Sequence, residues 1–171
     1  ILRMGFWIKT KEEKETIIEK GTQYTGFSTE NIGPICKNDL VTIKMLPDLQ
    51  KIELSAKGNK IELPYDRLIG FSIEDEAKLT SGKISIGGAV IGGALLGPAG
   101  AVVGALSKKG KNKINWIGTL VYADKNGERK ELCFLTNTLG NPNKKTFVMT
   151  QFETAMNNIA ARKYNNEPFE L

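Results

Sequence analysis

Apolar and charged positions alternate along residues 51–63. Ile52 and Leu54, then Ile61 and Leu63, are each separated by a glutamate and preceded by a lysine. A period of two marks strands with one wet face, so two strands are predicted, over 51–56 and 60–63. Lys57-Gly58-Asn59 between them is a tight hairpin signal. Strand character also runs over 40–45, ahead of a Pro47-Asp48 turn, and over 67–73. It resumes at 113–122, where Ile114, Trp116, Gly118, Leu120 and Tyr122 fall on one face. That face is read as core. Asp124-Lys125-Asn126-Gly127 suits a hairpin turn, because Asn-Gly tolerates positive φ, and 130–135 returns as the partner strand.

The period then changes. Val148, Phe152, Ala155, Met156 and Ile159 recur at helical spacing and form one apolar stripe. The stripe predicts a helix that covers the sheet, with Asn141 as its cap and Pro142 at its first position. At the other terminus, 1–8 reads as a strand. Residues 11–20 read as a short charged helix capped by Thr10 and ended by Gly21, and 23–33 as a connection. Strands followed by a helix argue α+β. The expected architecture is a bent antiparallel β-barrel or sandwich closed by a C-terminal amphipathic helix. It occupies 34–163, after an N-terminal extension (1–33) and before a tail (164–171).

Residues 84–106, ISIGGAVIGGALLGPAGAVVGAL, interrupt this order. They carry no charge, and small residues recur every fourth position. Gly88 and Gly92 form one pair, Gly93 and Gly97 belong to a second row, and Gly100 and Gly104 form a third. On a helix this spacing makes a groove that lets another backbone approach closely. Each glycine costs a helix about 1 kcal/mol against alanine, so close packing has to compensate. Three readings arise: a single membrane span, a helical hairpin (84–96 and 99–106, folded at Gly97-Pro98), and a loop packed on its own domain. The strands on either side belong to one sheet, which disfavours a single span and favours the hairpin.

Charge sharpens the picture. Lys83, Lys108, Lys109, Lys111 and Lys113 flank the segment, with no acid between Lys83 and Lys113. Removing those five from the 24 Lys and Arg leaves 19, equal to the 19 Asp and Glu, so the net +5 resides in this collar. A neutral body with one basic collar points to a local anionic partner rather than to nucleic acid.

The chemistry on offer is narrow. The absence of histidine removes the commonest general base and zinc ligand. No Walker pattern, G-x-G-x-x-G or G-x-S-x-G occurs. The only tight acidic run, Glu74-Asp75-Glu76, points its neighbours to opposite faces of a strand. No catalytic residue, metal site or cofactor is expected, and the chain reads as a non-enzyme. Cys36 and Cys133 form no C-x-x-C. Both are expected to be buried, reduced thiols, with a single bridge as the alternative, which favours a cytoplasmic setting.

The run ELPYDRLIGFSIEDEAK, then GGAVIGGALLGPAGAVVGALSKK, then LVYADKNGERKELCFL and a helix resembles small pleckstrin-homology-like (GRAM-like) proteins of Gram-positive bacteria and their phages. These carry a glycine-rich hairpin between strands. The resemblance covers residues 34–163, is strongest over 61–135, and implies a bent antiparallel barrel with a closing helix. It carries over no catalytic residue. The expected function is a binding module whose hairpin mediates self-association, partnership with another protein, or docking on an anionic membrane surface, with the protein in the cytoplasm or peripheral at the membrane. The second reading is an oligomer that sequesters a small anionic, nucleotide-like signal between subunits, with the collar lysines on its phosphates. A pore-forming protein is the third.

Overall fold

The computed structural model describes residues 23–75, 78–79, 84–86, 89–91, 116–136 and 144–165. The strand expected over 1–8, the helix over 11–20, Asn141, Pro142 and the end of the tail lie outside these residues.

Nine strands and one long helix are described. They are β1 (Gln23–Ser28), β2 (Leu40–Leu46), β3 (Lys51–Ala56), β4 (Asn59–Pro64), β5 (Leu68–Asp75), β6 (Ile84–Ile86), β7 (Ala89–Ile91), β8 (Trp116–Ala123), β9 (Arg129–Thr136) and helix α1 (Phe147–Asn165). Seven strands form one antiparallel sheet in the order β4-β3-β2-β1-β9-β8-β5. Consecutive strands β4 and β5 thus lie at opposite edges, and the sheet is open between them. The closed barrel expected from the sequence is a bent sheet with one helix packed on it.

Alternation builds the inner face as the sequence predicts. Ile43 pairs with Leu54 and Leu54 with Ile61, while Met45 pairs with Ile52 and Ile52 with Leu63. Cross-strand partners share a face, and these residues are buried apart from the half-buried Ile61. They join one core with Phe71, Leu120 and Phe134 from the far end of the sheet and Met149, Phe152, Met156 and Ala160 from α1.

Curvature brings the two ends together. β1 and β5 are three strand steps apart, roughly 14 Å in a flat sheet. The Tyr24 and Phe71 ring centroids are nevertheless 5.3 Å apart, and Phe152 of α1 lies 5.7 Å from Tyr24 and 5.2 Å from Phe71. Gly118 makes room for this cluster: a Cβ there would lie 2.6 Å from the Tyr24 hydroxyl oxygen. That hydroxyl shares a hydrogen bond with Thr136 Oγ1. Burial pushes the phenol well above its ordinary pKa, partly offset by the Thr136 bond.

The two predicted hairpins are present. Ala56 faces Asn59 across the two-residue turn Lys57-Gly58, both at positive φ (48° and 82°), the geometry that matches the twist of paired strands. In the β8–β9 turn only Gly127 has positive φ. The Asp124 carboxylate accepts hydrogen bonds from the Asn126 and Glu128 backbone N–H groups at 2.8 and 3.0 Å.

Several expectations need correction. Residues 23–28, expected within a connection, form β1 between β2 and β9, so the sheet draws in residues ahead of Pro34. Gln23, Tyr24 and Thr25 mix polar and aromatic residues, but their backbones pair fully with β2. The helix starts at Phe147, not at Pro142. Thr146 caps it: its hydroxyl accepts the Met149 N–H at 3.3 Å and its carbonyl accepts the Thr150 N–H at 3.1 Å. The buried stripe is rotated accordingly. Met149, Phe152, Met156 and Ala160 are buried, Ala155 and Ile159 flank them, and Val148 is exposed. Cys36 is exposed while Cys133 is buried, and both are free thiols.

The helical arm expected over 84–96 is also corrected where it is described. Ile84–Ile86 and Ala89–Ile91 are strands paired antiparallel, with Ile84 opposite Ile91 and Ile86 opposite Ala89. β-Branched Ile84, Ile86, Val90 and Ile91 favour extended backbone, and the neighbouring glycines weaken any helix.

Candidate functional site: the root of the glycine-rich insertion

The insertion leaves the sheet after Asp75 of β5 and re-enters it at Trp116 of β8. These two residues are register partners in the β5–β8 ladder, so the whole excursion begins and ends at one point of one sheet. The sequence argument that both flanks belong to one sheet holds. A single span, which would separate β5 from β8 across a bilayer, is incompatible with this ladder. Among the described residues no helix is long and apolar enough to cross a membrane.

The root is built on the edge strand. β5 carries a register shift between Leu68 and Gly70, and beyond it Phe71 and Ile73 run opposite Leu120 and Gly118. Beyond the edge lies α1, whose polar side chains take the place of a further strand. Asn157 accepts the Phe71 N–H at 2.9 Å and donates to the Phe71 carbonyl at 2.8 Å. Glu153, one turn earlier, accepts the Ile73 N–H at 2.8 Å. Helix and strand therefore run in opposite senses, and the first turn of α1 sits beside the end of β5, where the insertion departs.

A charge network ties this corner together. The Lys145 ammonium lies 2.7 Å from Glu153 Oε2 and 3.6 Å from Glu74 Oε1. Lys78 Nζ lies 3.0 Å from Glu74 Oε2, and the Lys78 N–H donates to Asp75 Oδ1 at 2.8 Å. The hydrogen bond to Glu74, helped by the negative charges of Glu74, Asp75 and Glu153, raises the Lys78 pKa above its ordinary value. Glu74 is thus held by Lys78 on one side and Lys145 on the other. No group of three or more His, Cys, Asp or Glu among the described residues could hold a metal ion, and the network has the form of a structural clamp.

The site residues inferred from sequence fall elsewhere. Gly88, Gly92, Gly93, Gly97, Gly100 and Gly104, and the collar Lys83, Lys108, Lys109, Lys111 and Lys113, all lie outside the described residues. The structure fixes where the segment that carries them is attached. Sequence reasoning missed Lys145, Glu153 and Asn157. Their one available signal was the helical spacing of Glu153 and Asn157 beside the apolar stripe, which reads as an ordinary solvated flank.

A seven-stranded, bent antiparallel sheet with a single C-terminal helix, interrupted by a glycine-rich excursion between β5 and β8, defines a pleckstrin-homology-like domain, a class that suggests a binding module. The model of one such family, described as the glycine zipper containing PH domain, matches residues 28–145. The chain belongs to that family. No curated protein matches it.

Proposed function

We propose that the protein is a non-enzymatic binding module that docks on an anionic membrane surface through its glycine-rich insertion. The observation that carries this reading is the pairing of Asp75 with Trp116. It makes an uncharged apolar segment, flanked by the protein's whole positive excess, an appendage of one corner of a neutral domain. Apolar burial in the headgroup region and lysine attraction to anionic lipid add on such a segment. Because it starts and returns at one point, the domain stays on one side of the bilayer.

Self-association through the glycine faces is the second reading, favoured by the small residues at every fourth position. It accounts for the apolar segment but brings like-charged collars together, which costs energy. Capture of a small anionic ligand by the collar leaves the apolar segment unexplained.

Flotation with phosphatidylcholine vesicles, with and without phosphatidylserine, at low and high salt tests the proposal. Expected is binding to the anionic vesicles at low salt, weakened as salt screens the collar and abolished when 84–106 is replaced by a short Gly-Ser linker. No binding to anionic vesicles at low salt overturns it. Light scattering on both chains reads out self-association. A dimer that depends on 84–106, without vesicle binding, installs the second reading.

A further inference from the structure

The sheet has an edge at β5 and an edge at β4, and only the first is sealed. At β5 the side chains of Asn157 and Glu153 take the backbone groups of Phe71 and Ile73. At β4 nothing comparable is present among the described residues. The phase of the β3–β4 ladder shows which backbone groups are open. Ala56 and Asn59 close the Lys57-Gly58 turn at one end, and the Tyr65 N–H donates to the Gln50 carbonyl at 2.9 Å at the other. In an antiparallel pair, bonded and non-bonded positions alternate. Asn59, Ile61 and Leu63 therefore bond to β3, and the N–H and C=O groups of Lys60 and Glu62 point away from the sheet. Among the described residues neither of these N–H groups has a hydrogen-bond partner. Pro64 takes the next outward position, where its missing N–H costs the β3 ladder nothing. An open edge of this kind is a template for another strand.

We propose that the β4 edge is a self-association surface on which a second copy of the chain pairs antiparallel, about a twofold axis at Ile61. The charge pattern selects both this occupant and this register. Lys60 and Glu62 are exposed on the outer face, and Ile61 is half-buried on the inner face. A twofold centred on Lys60 sets lysine against lysine, and one centred on Glu62 sets glutamate against glutamate. Like charges directly opposite are destabilising. A twofold centred on Ile61 instead sets Lys60 against Glu62 on both sides of the axis, and these are the residues whose backbone groups are free to bond. Lysine alone would guard the edge, but lysine and glutamate two residues apart match their own copy. The neighbouring charges do not oppose the pairing. Lys60 lies 3.0 Å from Glu53 and Lys51 lies 2.7 Å from Glu62, so the outer face here is neutral and the new pairs continue its alternation across the seam. Beyond the strand ends, Lys57 lies 2.6 Å from Asp39, and Asp66 is followed by Arg67. A neutral, alternating edge offers a charged ligand nothing and fits a second copy of itself. On the inner face, Ile61 against its copy extends the cross-strand row of Ile43, Leu54 and Ile61. Neither the glycine-rich insertion nor its collar takes part, so the inference stands apart from the docking function.

Sedimentation velocity of the full chain at low salt, over a concentration series, reads the association. The parent is expected to form a concentration-dependent dimer. Glu62→Lys sets lysine against lysine at the seam, and Lys60→Glu sets glutamate against glutamate. Each alone should raise the dimer Kd roughly tenfold, the scale of turning the cross-strand pairs from attraction to repulsion. Mixed in equal amounts, the two variants should recover the parent's association, because every facing pair is again of opposite charge. That recovery also excludes misfolding of either variant. Ile61→Cys in a Cys36→Ser background reads the register. A facing non-bonded pair has Cα atoms about 4.5 Å apart, within disulfide reach, so mild oxidation should join two copies. Lys44→Cys in the same background, exposed in mid-sheet on β2, should stay monomeric on the same treatment. A parent that is monomeric at every concentration overturns the inference. So does a dimer that both single variants retain undiminished, which assigns association to the insertion or another surface, and so does a mixture that associates no better than its components.

Discussion

Gly118 is glycine because Tyr24 lies across it. A methyl group there would meet the phenolic oxygen and ring within 3 Å, and the ring is held by Phe71, Phe152 and the Thr136 hydroxyl. Gly118→Ala should therefore cost about 1–3 kcal/mol, the scale of overpacking in a core, read out by urea denaturation. A cost within error of zero would mean that Tyr24 moves freely. The two cysteines diverge as sharply. Burial pushes the Cys133 thiol up to about 12, with the Thr119 hydroxyl opposing only part of the shift, whereas Cys36 is exposed. Since the thiolate is the reactive form, Ellman's reagent at pH 8 should titrate Cys36 promptly and Cys133 only on unfolding. Prompt reaction of both would contradict the burial. Asp39 supplies a pH dependence. The Lys57 ammonium at 2.6 Å, and then the Cys36 N–H, lower its pKa. A depressed folded pKa contributes stability above the unfolded value, about 3.9, that is lost as pH falls towards the folded value. The stability gap between the parent and Asp39→Asn should shrink as pH is lowered from 6 to 2; a constant gap would deny the linkage.

At the scale of elements, the hairpins and the alternating strands β2 to β4 were legible because their physics is local. Ile52, Leu54, Ile61 and Leu63 need only period two, and Lys57-Gly58 only a positive φ. The helix was legible as an element but not in its boundary or rotation. Thr146 in place of Asn141 and Met149 in place of Val148 are choices made by the sheet beneath. β5 shows the same limit. Nothing in LIGFSIED announces an edge strand, and nothing in QFETAMNN announces that Glu153 and Asn157 will serve as its partner. An uncovered edge is a template for association. Asn157→Ala leaves the Phe71 N–H and carbonyl without their partner and should cost about 1–3 kcal/mol, each kcal/mol moving Tm by roughly 2–4 °C at this size. Glu153→Ala/Asn157→Ala should also aggregate faster below its Tm. An unchanged melting curve for both variants would show that water serves the edge equally well.

The pairing of Asp75 with Trp116 governs the molecule as a whole. A segment that starts and ends on register partners can be cut out without stretching the sheet, since adjacent strands need only a short turn. Replacing residues 83–113 by a short Gly-Ser linker, which keeps Lys78 and the buried Leu79, should preserve a cooperative melt while removing the collar's five lysines. Loss of cooperative unfolding would make the insertion part of the folding unit instead of an appendage. The sequence by itself determined the strand-rich class, the two hairpins, the existence of the closing helix, and the neutral body with one basic, glycine-rich appendage. Periodicity, turn chemistry and charge counts are properties of short stretches of chain. Only the tertiary structure decided that β1 belongs to the sheet, that β4 and β5 stay apart, and that 84–86 and 89–91 are strands. It also decided that the root of the insertion, the clamp and the start of α1 meet at one corner. Each of these depends on which distant segments share a hydrogen-bond ladder, and no local pattern encodes that.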